Sequence, residues 1–302
     1  MLYPLINTFV LSFYGNGRAN ADVNVGFQNF QYLLAGGSRP AKAIHEEFVN
    51  ALKNTVILWF GNFIPQICLS LLLAVWFTDS KLKIKGQGFF KVVMYMPNII
   101  TATSVCALFL SIFGNTKYGA VNSFLLHNNM ISEAINFVTG VGSSRVIVMF
   151  IQTWMWFGNT MILLMSGIMG INPSLFEAAS IDGANSGQIF FRITLPVLRP
   201  IFIYVLITSM IGGLQMFDIP YLFHEDANTI RPSLETVAVF IYKSFHATDP
   251  NYGYSAAASV ILFIITSILG SVTFAMNSST QDKKKNKIDR KAAKARKQLG
   301  GF

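Results

Sequence analysis

The sequence predicts an all-α, polytopic membrane protein with six transmembrane helices, the first incomplete at its N-terminus. Three observations carry this. Only 12% of the 302 residues are charged, whereas a soluble domain of this size needs about 25% to cover its surface. The charges are also clustered, which leaves long windows almost free of them. Five of those windows hold the roughly 20 mostly apolar residues that a helix needs to cross the hydrocarbon.

In order, Met1–Tyr14 is apolar but too short to span, and reads as the C-terminal part of a first helix. Spans are predicted at Asn54–Phe77 and Phe89–Phe113, with Pro65 and Pro97 inside them. Membrane helices tolerate such prolines where neighbours satisfy the freed carbonyls. The semi-polar stretch Asn115–Gly142 includes a short interfacial helix in NSFLLHNNMISEAINFV, and a span follows at Arg145–Ile168. A polar loop, Glu177–Arg199, leads to spans at Ile201–Phe223 and Ser255–Met276. The membrane domain is thus 1–277, with the loop at about 171–199, and 278–302 is a basic tail. Cys68 and Cys106 fall inside spans without metal or disulfide spacing, and read as small core residues. MLYPLINTFVLSFY has neither the basic leader nor the cleavage site of a signal peptide.

Basic residues set the orientation. One side of the membrane, made of the loop after Phe77, the polar loop and the tail, carries 15 Lys and Arg against 5 acids. The remainder carries 8 against 9, so the net charges are +10 and −1. The first side is therefore cytoplasmic, and both termini lie there. The tail DKKKNKIDRKAAKARK reads as a topology anchor that touches anionic lipid, not as a nucleic-acid site, because no aromatic residues interleave it.

The polar loop reads as two short helices. Asn172 or Ser174 can cap a helix running SLFEAASIDGA, with Glu177 near the favourable end of its dipole. Ala178 and Ala179 keep one side small, Asp182 and Gly183 follow, and Gly183 permits a sharp redirection. The second segment, SGQIFFRITL, runs to Pro196 and Pro200, which end it. A capped, smooth helix on this face suits the groove of another protein.

The spacing of Glu177-Ala178-Ala179, Gly183 and Ile193-x-Leu195-Pro196 resembles the EAA loop of binding-protein-dependent ABC importer permeases. GFQNFQYLL with FVNALKNTVIL, LQMFDIPYLF, IYKSF and NYGYSAAASVILF are similar to segments of the carbohydrate permeases, on the first-permease side of the maltose, glycerol-phosphate and multiple-sugar type. The chain departs from them after Phe223, where HEDANTIRPS replaces the Thr-x-Gly-Gly-Pro turn of many relatives. The resemblance implies an ABC type I importer permease in a prokaryotic inner or plasma membrane. It also implies a second homologous permease, two ATPase subunits and an external solute-binding protein that delivers a sugar. The loop's first helix would couple to the ATPase through Glu177, Ala178, Ala179, Asp182 and Gly183, with Ile193, Leu195 and Pro196 completing the motif. ATP and Mg would sit on the ATPase, and no GxxxxGK[ST] phosphate loop occurs in this chain. Neither catalytic nor metal-ligating residues are expected.

Polar groups at membrane depth need a partner or a watery path. Gln152, Trp154, Trp156 and Asn159 lie in one span, and Gln215 and Asp218 in the next, three apart and so on one helical face. By resemblance, Asn98, Gln152, Met155, Trp156, Asn159, Leu214, Gln215 and Asp218 fall where the maltose-type permease lines its sugar site. The rival for any of them is helix packing, and for the tryptophans an interfacial belt. An ion-coupled secondary transporter is the alternative function. It calls for inverted repeats and intramembrane ionisable groups, of which Asp218 is the one candidate. A membrane enzyme is disfavoured by scattered His45, His127, His224 and His246 and by the lack of a carboxylate pair.

Overall fold

The computed structural model describes residues 2–17, 19–37, 39–79, 82, 85–223 and 232–299, with side chains at all of these except 39, 40 and 276–299. Arg18, Lys81, Lys83, Arg231, most of the HEDANTIRPS departure and the basic side chains of the tail lie outside the described residues.

Among the described residues the regular structure is helical, joined by turns and loops, with one isolated bridge between Tyr14 and Asn24. Helix α1 (Leu2–Leu11) packs along the last helix, with Phe9 edge-on to Phe263 at 6.0 Å. A short α2 (Gln28–Ala35) precedes α3 (Arg39–Thr78), which has 40 residues. At 1.5 Å per residue α3 is about 60 Å long, roughly twice the hydrocarbon thickness, so it projects well beyond the predicted span. Pro65 sits inside α3 without ending it.

The next predicted span is broken. Helix α4 (Gln87–Tyr95) gives way to a 3₁₀ turn at Met96–Ile99, and α5 (Ala102–Phe113) leaves at 96°. Pro97 lacks the N–H that would continue the ladder, Ile100 is extended, and the Thr101 hydroxyl caps α5 by accepting from Ser104 N. The predicted interfacial helix shrinks to α6 (Ala120–His127). Beyond it, turns replace helix because Asn122 bonds Gly114 O, Ile135 O and Ile135 N, all at 2.9 Å. Its amide supplies the partners that a helical ladder would otherwise give.

Helix α7 (Val141–Met169) is the central partner of α3. Leu73, Ala74 and Phe77 meet Phe157, Met161 and Leu164 in one core. Three bonds cross the same seam: Thr153 Oγ1 to Asn62 O at 3.1 Å, Gln66 Nε2 to Thr160 Oγ1 at 2.8 Å, and Ser70 Oγ to Phe157 O at 2.7 Å. The polar loop follows as α8 (Pro173–Ile181), α9 (Ser186–Ile189), a π-turn at Phe190–Thr194 and α10 (Leu195–Val197). Helix α11 (Arg199–Leu214) stops at Gln215, and the chain is non-helical until α12 (Asp218–Leu222). Then come α13 (Val237–Phe245) and α14 (Tyr252–Leu299).

Four helices are long and apolar enough to cross a membrane: Ala41–Thr78, Val141–Met169, Arg199–Leu222 and Tyr252–Ala275. The bent pair α4–α5 makes a fifth if counted as one span. The expectation of six is therefore corrected to four or five among the described residues. The reasons are the Pro97 break and the length of α1, whose ten residues rise only about 15 Å. Cys106 is buried as expected, but Cys68 is exposed on the outside of the bundle.

Where α3, α7 and residues 232–236 meet, a polar network replaces packing. Arg145 donates to Asn54 Oδ1 at 2.6 Å and to Ser233 O at 3.0 Å, while Asn54 donates to Pro232 O and Glu235 O. The Thr236 hydroxyl donates to Met216 O at 2.6 Å, which satisfies a carbonyl freed by the break after α11.

Candidate functional site

A cavity of about 470 Å³ lies between α3, α7, α11 and the unwound Gln215–Phe217 stretch. Its size is within the range of small-molecule sites. Near the middle of α7, Gln152, Met155, Trp156 and Asn159 face into it, and Gln215 and Asp218 close it from the other side. Six of the eight expected pathway residues are thus brought together. Two are not: Leu214 is buried in the packing around Trp59, and Asn98 turns its amide to Met155 O at 3.3 Å. The argument that Gln215 and Asp218 share a helical face is also corrected, because Gln215 ends α11 and Asp218 begins α12. They converge through the break instead.

Adjacent aromatic residues part ways. Trp156 is open to the cavity, whereas Trp154 packs edge-on against Phe109 at 5.7 Å. Residues two positions apart on a helix point about 200° apart, so only one of Trp154 and Trp156 can face any one wall.

Sequence reasoning missed the wall from α3, where Trp59, Asn62 and Gln66 line the cavity. A signal was present: Asn62, Gln66 and Ser70 are polar at steps of four within an apolar window, which is one helical face. Tyr204, Thr208 and Ser209 of α11 add hydroxyls, and Ser209 accepts from the Trp59 indole at 3.2 Å.

The lining divides into two groups. Gln66, Thr160 and Trp59 are satisfied by the protein. The side chains of Gln152, Asn159, Gln215 and Asp218 have no hydrogen-bond partner among the described residues. Gln152 is buried, and leaving its amide unpaired costs about 1–3 kcal/mol unless water or a ligand meets it, while Asn159, Gln215 and Asp218 are exposed. These four groups therefore define a surface for a polar, hydroxyl-bearing occupant, and Trp59 and Trp156 supply apolar faces beside it.

Outside the spans, Lys243 binds Glu47 and, at 3.3 Å, Glu235, whose side chain is buried. Burial pushes the Glu235 carboxyl up to about 7; Lys243 opposes that rise and the Glu47 charge adds to it. Lys243 itself is raised: burial works against its charge, but the bond to Glu47 and the two carboxylates outweigh it. A folded-state value above the ordinary 4.5 means that the native state holds this proton more tightly than the unfolded chain. Its stabilisation is full below the ordinary range and is lost as pH rises through about 7. The thermal midpoint should fall over that window, and Glu235→Gln should flatten the fall. A variant that keeps the wild-type slope would assign the titration elsewhere.

The polar loop presents a capped helix. Asn172 is the cap, accepting from Ser174 N at 3.1 Å, and α8 ends at Ile181, short of the predicted SLFEAASIDGA. Gly183 has φ +76°, with Gly183 N bonded to Ser180 O and Ala184 N to Ala179 O. This is a Schellman ending, which requires the left-handed conformation at that glycine. Glu177, Ala178, Asp182 and Ile181 are exposed, and Ala179 is half-buried. The second segment starts with a capping box between Asn185 and Gln188. It then passes through the π-turn that holds Ile193, and Leu195 and Pro196 open α10. Pro196 therefore begins a helical turn and does not end the segment, since a proline at a first-turn position has no ladder bond to lose.

Comparison with known proteins places this geometry. The family model for the binding-protein-dependent transport system inner membrane component matches residues 51–280. The lactose transport system permease protein LacF of Rhizobium radiobacter is 31% identical over 274 residues, 91% of this chain and 87% of that protein. The arabinooligosaccharides transport system permease protein AraP of Bacillus subtilis is 30% identical over 278 residues, 92% of this chain and 83% of that one. The crystal structure of a bacterial ABC transporter that imports the acidic polysaccharide alginate has the same fold, with a TM-score of 0.76 over 91% of this chain and 88% of that one at 23% identity. The chain belongs to the binding-protein-dependent transport system inner membrane component family: it is a multi-pass inner-membrane permease subunit of the ABC importers, related to carbohydrate uptake systems.

Proposed function

We propose that this permease forms half of the pathway of an ATP-driven importer that carries a sugar or oligosaccharide from an external solute-binding protein. The observation that supports this most is the unpaired set Gln152, Asn159, Gln215 and Asp218 beside two tryptophans in one cavity. Amides and a carboxylate bond hydroxyls, and indole faces stack on the apolar faces of sugar rings. The relatives that carry lactose and arabinooligosaccharides favour the same class. A second homologous permease would supply the other half. ATP and Mg would bind two ATPase subunits seated on α8, with Glu177, Ala178, Ala179, Asp182 and Gly183 at the contact and Ile193, Leu195 and Pro196 supporting it. The charge asymmetry favours a cytoplasmic loop and termini, and the 278–302 tail would rest on anionic lipid. An ion-coupled transporter is the weaker reading, since no second carboxylate, histidine or basic side chain joins Asp218 in the cavity lining.

Proteoliposomes that hold both permeases, the ATPase and the binding protein test this reading. Uptake of the sugar carried by that binding protein should require ATP on the loop side, where an impermeant thiol reagent should reach Gly187→Cys. Gln215→Leu with Asp218→Leu should lower uptake about tenfold or more while the ATPase still co-purifies. Uptake without the ATPase, or unchanged uptake in the double variant, would refute the reading.

A further inference from the structure

Beside the cavity, on the side that the charge count places outside the cell, six rings form a continuous ladder. Phe217, which lines the cavity, lies 4.9 Å from Tyr221 and 5.1 Å from Tyr242, which are themselves 4.9 Å apart. Tyr242 stacks on His246 at 4.1 Å, His246 meets Phe245 at 5.1 Å, and Phe245 meets Tyr252 at 5.2 Å. None of the six is buried, and Phe245 is 46% exposed.

The ladder is not a byproduct of core packing. Helix α13 buries Val237, Val239, Phe240 and Ser244, and Phe240 packs on Phe48. Tyr242 and Phe245 of the same helix, and His246 at its C-cap, are not buried with them. Nor does the ladder sit at lipid depth, because Lys243 adjoins Tyr242 and is ion-paired to Glu47 and Glu235. An aromatic face held at water level is unfavourable unless something covers it. His246 Nδ1 lies 3.0 Å from Tyr242 O, while its Nε2 has no partner among the described residues. The Tyr221 and Tyr242 phenols are bonded to each other, so the ladder offers ring faces with one imidazole at the edge, and such faces match the apolar C–H faces of a carbohydrate.

Continuity with the cavity decides the occupant. Phe217 lines the cavity that holds Gln152, Trp156 and Gln215, so a chain with its leading rings there can extend past Phe217, where the ladder begins. We infer that these rings form an outer carbohydrate subsite, which binds the trailing units of an oligosaccharide whose leading units occupy the cavity. This rests on the sugar-pathway reading above and extends it to chain length: the ladder favours oligosaccharides over disaccharides.

The assembled transporter in nanodiscs, without the binding protein, tests the inference by saturation-transfer NMR titration with lactose and an arabinooligosaccharide of five rings. Tyr242→Leu and the more exposed Phe245→Ala should each weaken the five-ring sugar about two- to tenfold. Lactose affinity should change by less than about twofold, and Tyr242→Phe should match wild type. Equal losses for both sugars, or no loss for either, would overturn the outer subsite and leave the cavity reading standing. Unchanged sugar binding with weakened docking of the binding protein would make the ladder a protein contact, and would also overturn it. Binding of neither sugar by wild type would overturn the sugar pathway itself, and the subsite with it.

Discussion

Gly158→Val is expected to abolish a stably folded permease. A Cβ at this position of α7 would lie 2.7 Å from Met94 C and 2.9 Å from Tyr95 Cα, with Met94 O closer still. All three are backbone atoms in the turn before the 96° bend, so no side-chain rotation relieves them. Overpacking a core with one methyl group typically costs about 1–3 kcal/mol, and valine adds three carbons against a rigid neighbour. A loss of that size is a large part of the 5–15 kcal/mol that holds a domain folded. The bend would have to lift off α7, and Asn98, bonded to Met155 O, would leave with it. Gly270→Ala in α14, where a Cβ meets nothing within 4 Å, is the matched control and should be neutral. Size-exclusion chromatography and thermal unfolding of both variants check this. A monodisperse Gly158→Val protein with an unshifted midpoint would show that the bend is not held by this close approach.

Gly183→Val should leave the fold intact and uncouple it. A Cβ at Gly183 also meets nothing within 4 Å, so the substitution introduces no clash. Its cost is conformational: φ +76° places a β-branched residue in the left-handed region, at about 1–3 kcal/mol, and the Schellman bonds to Ala179 O and Ser180 O would give way. The end of α8 would then unwind, and the proposed contact surface around Ala179 with it. Gly183→Asn, which tolerates that conformation, should behave nearly as wild type. Ala179→Trp should block seating by bulk alone. The readouts are co-purification of the ATPase and sugar-stimulated hydrolysis in vesicles. Full association and stimulation in both Gly183→Val and Ala179→Trp would remove the loop from the coupling path.

The sequence by itself determined the fold class, the five apolar windows and the loop between the third and fourth. All of these depend on local composition and on residues within one turn of each other. A cap at Asn172 or Ser174, of which the structure uses Asn172, and a redirection at Gly183 follow from such short-range chemistry. Pro65 and Pro97 show where that legibility ends. Both lie inside apolar windows, yet only Pro97 breaks its helix, at a bend that sits where Gly158 lets another backbone come close. That choice belongs to a neighbour about sixty residues away. The cavity is the same kind of outcome. The polar stripe Asn62, Gln66 and Ser70 was visible at steps of four, but Ser70 only bonds across to α7, Gln66 bonds across and also lines the space, and Asn62 lines it. Gln215 and Asp218 meet that space because α11 stops, and the Met216 carbonyl freed there finds the Thr236 hydroxyl. Periodicity says which residues share a face. Which face meets a partner, and which is left open for a ligand, is fixed only when the helices pack, because a polar group's cost depends on what surrounds it.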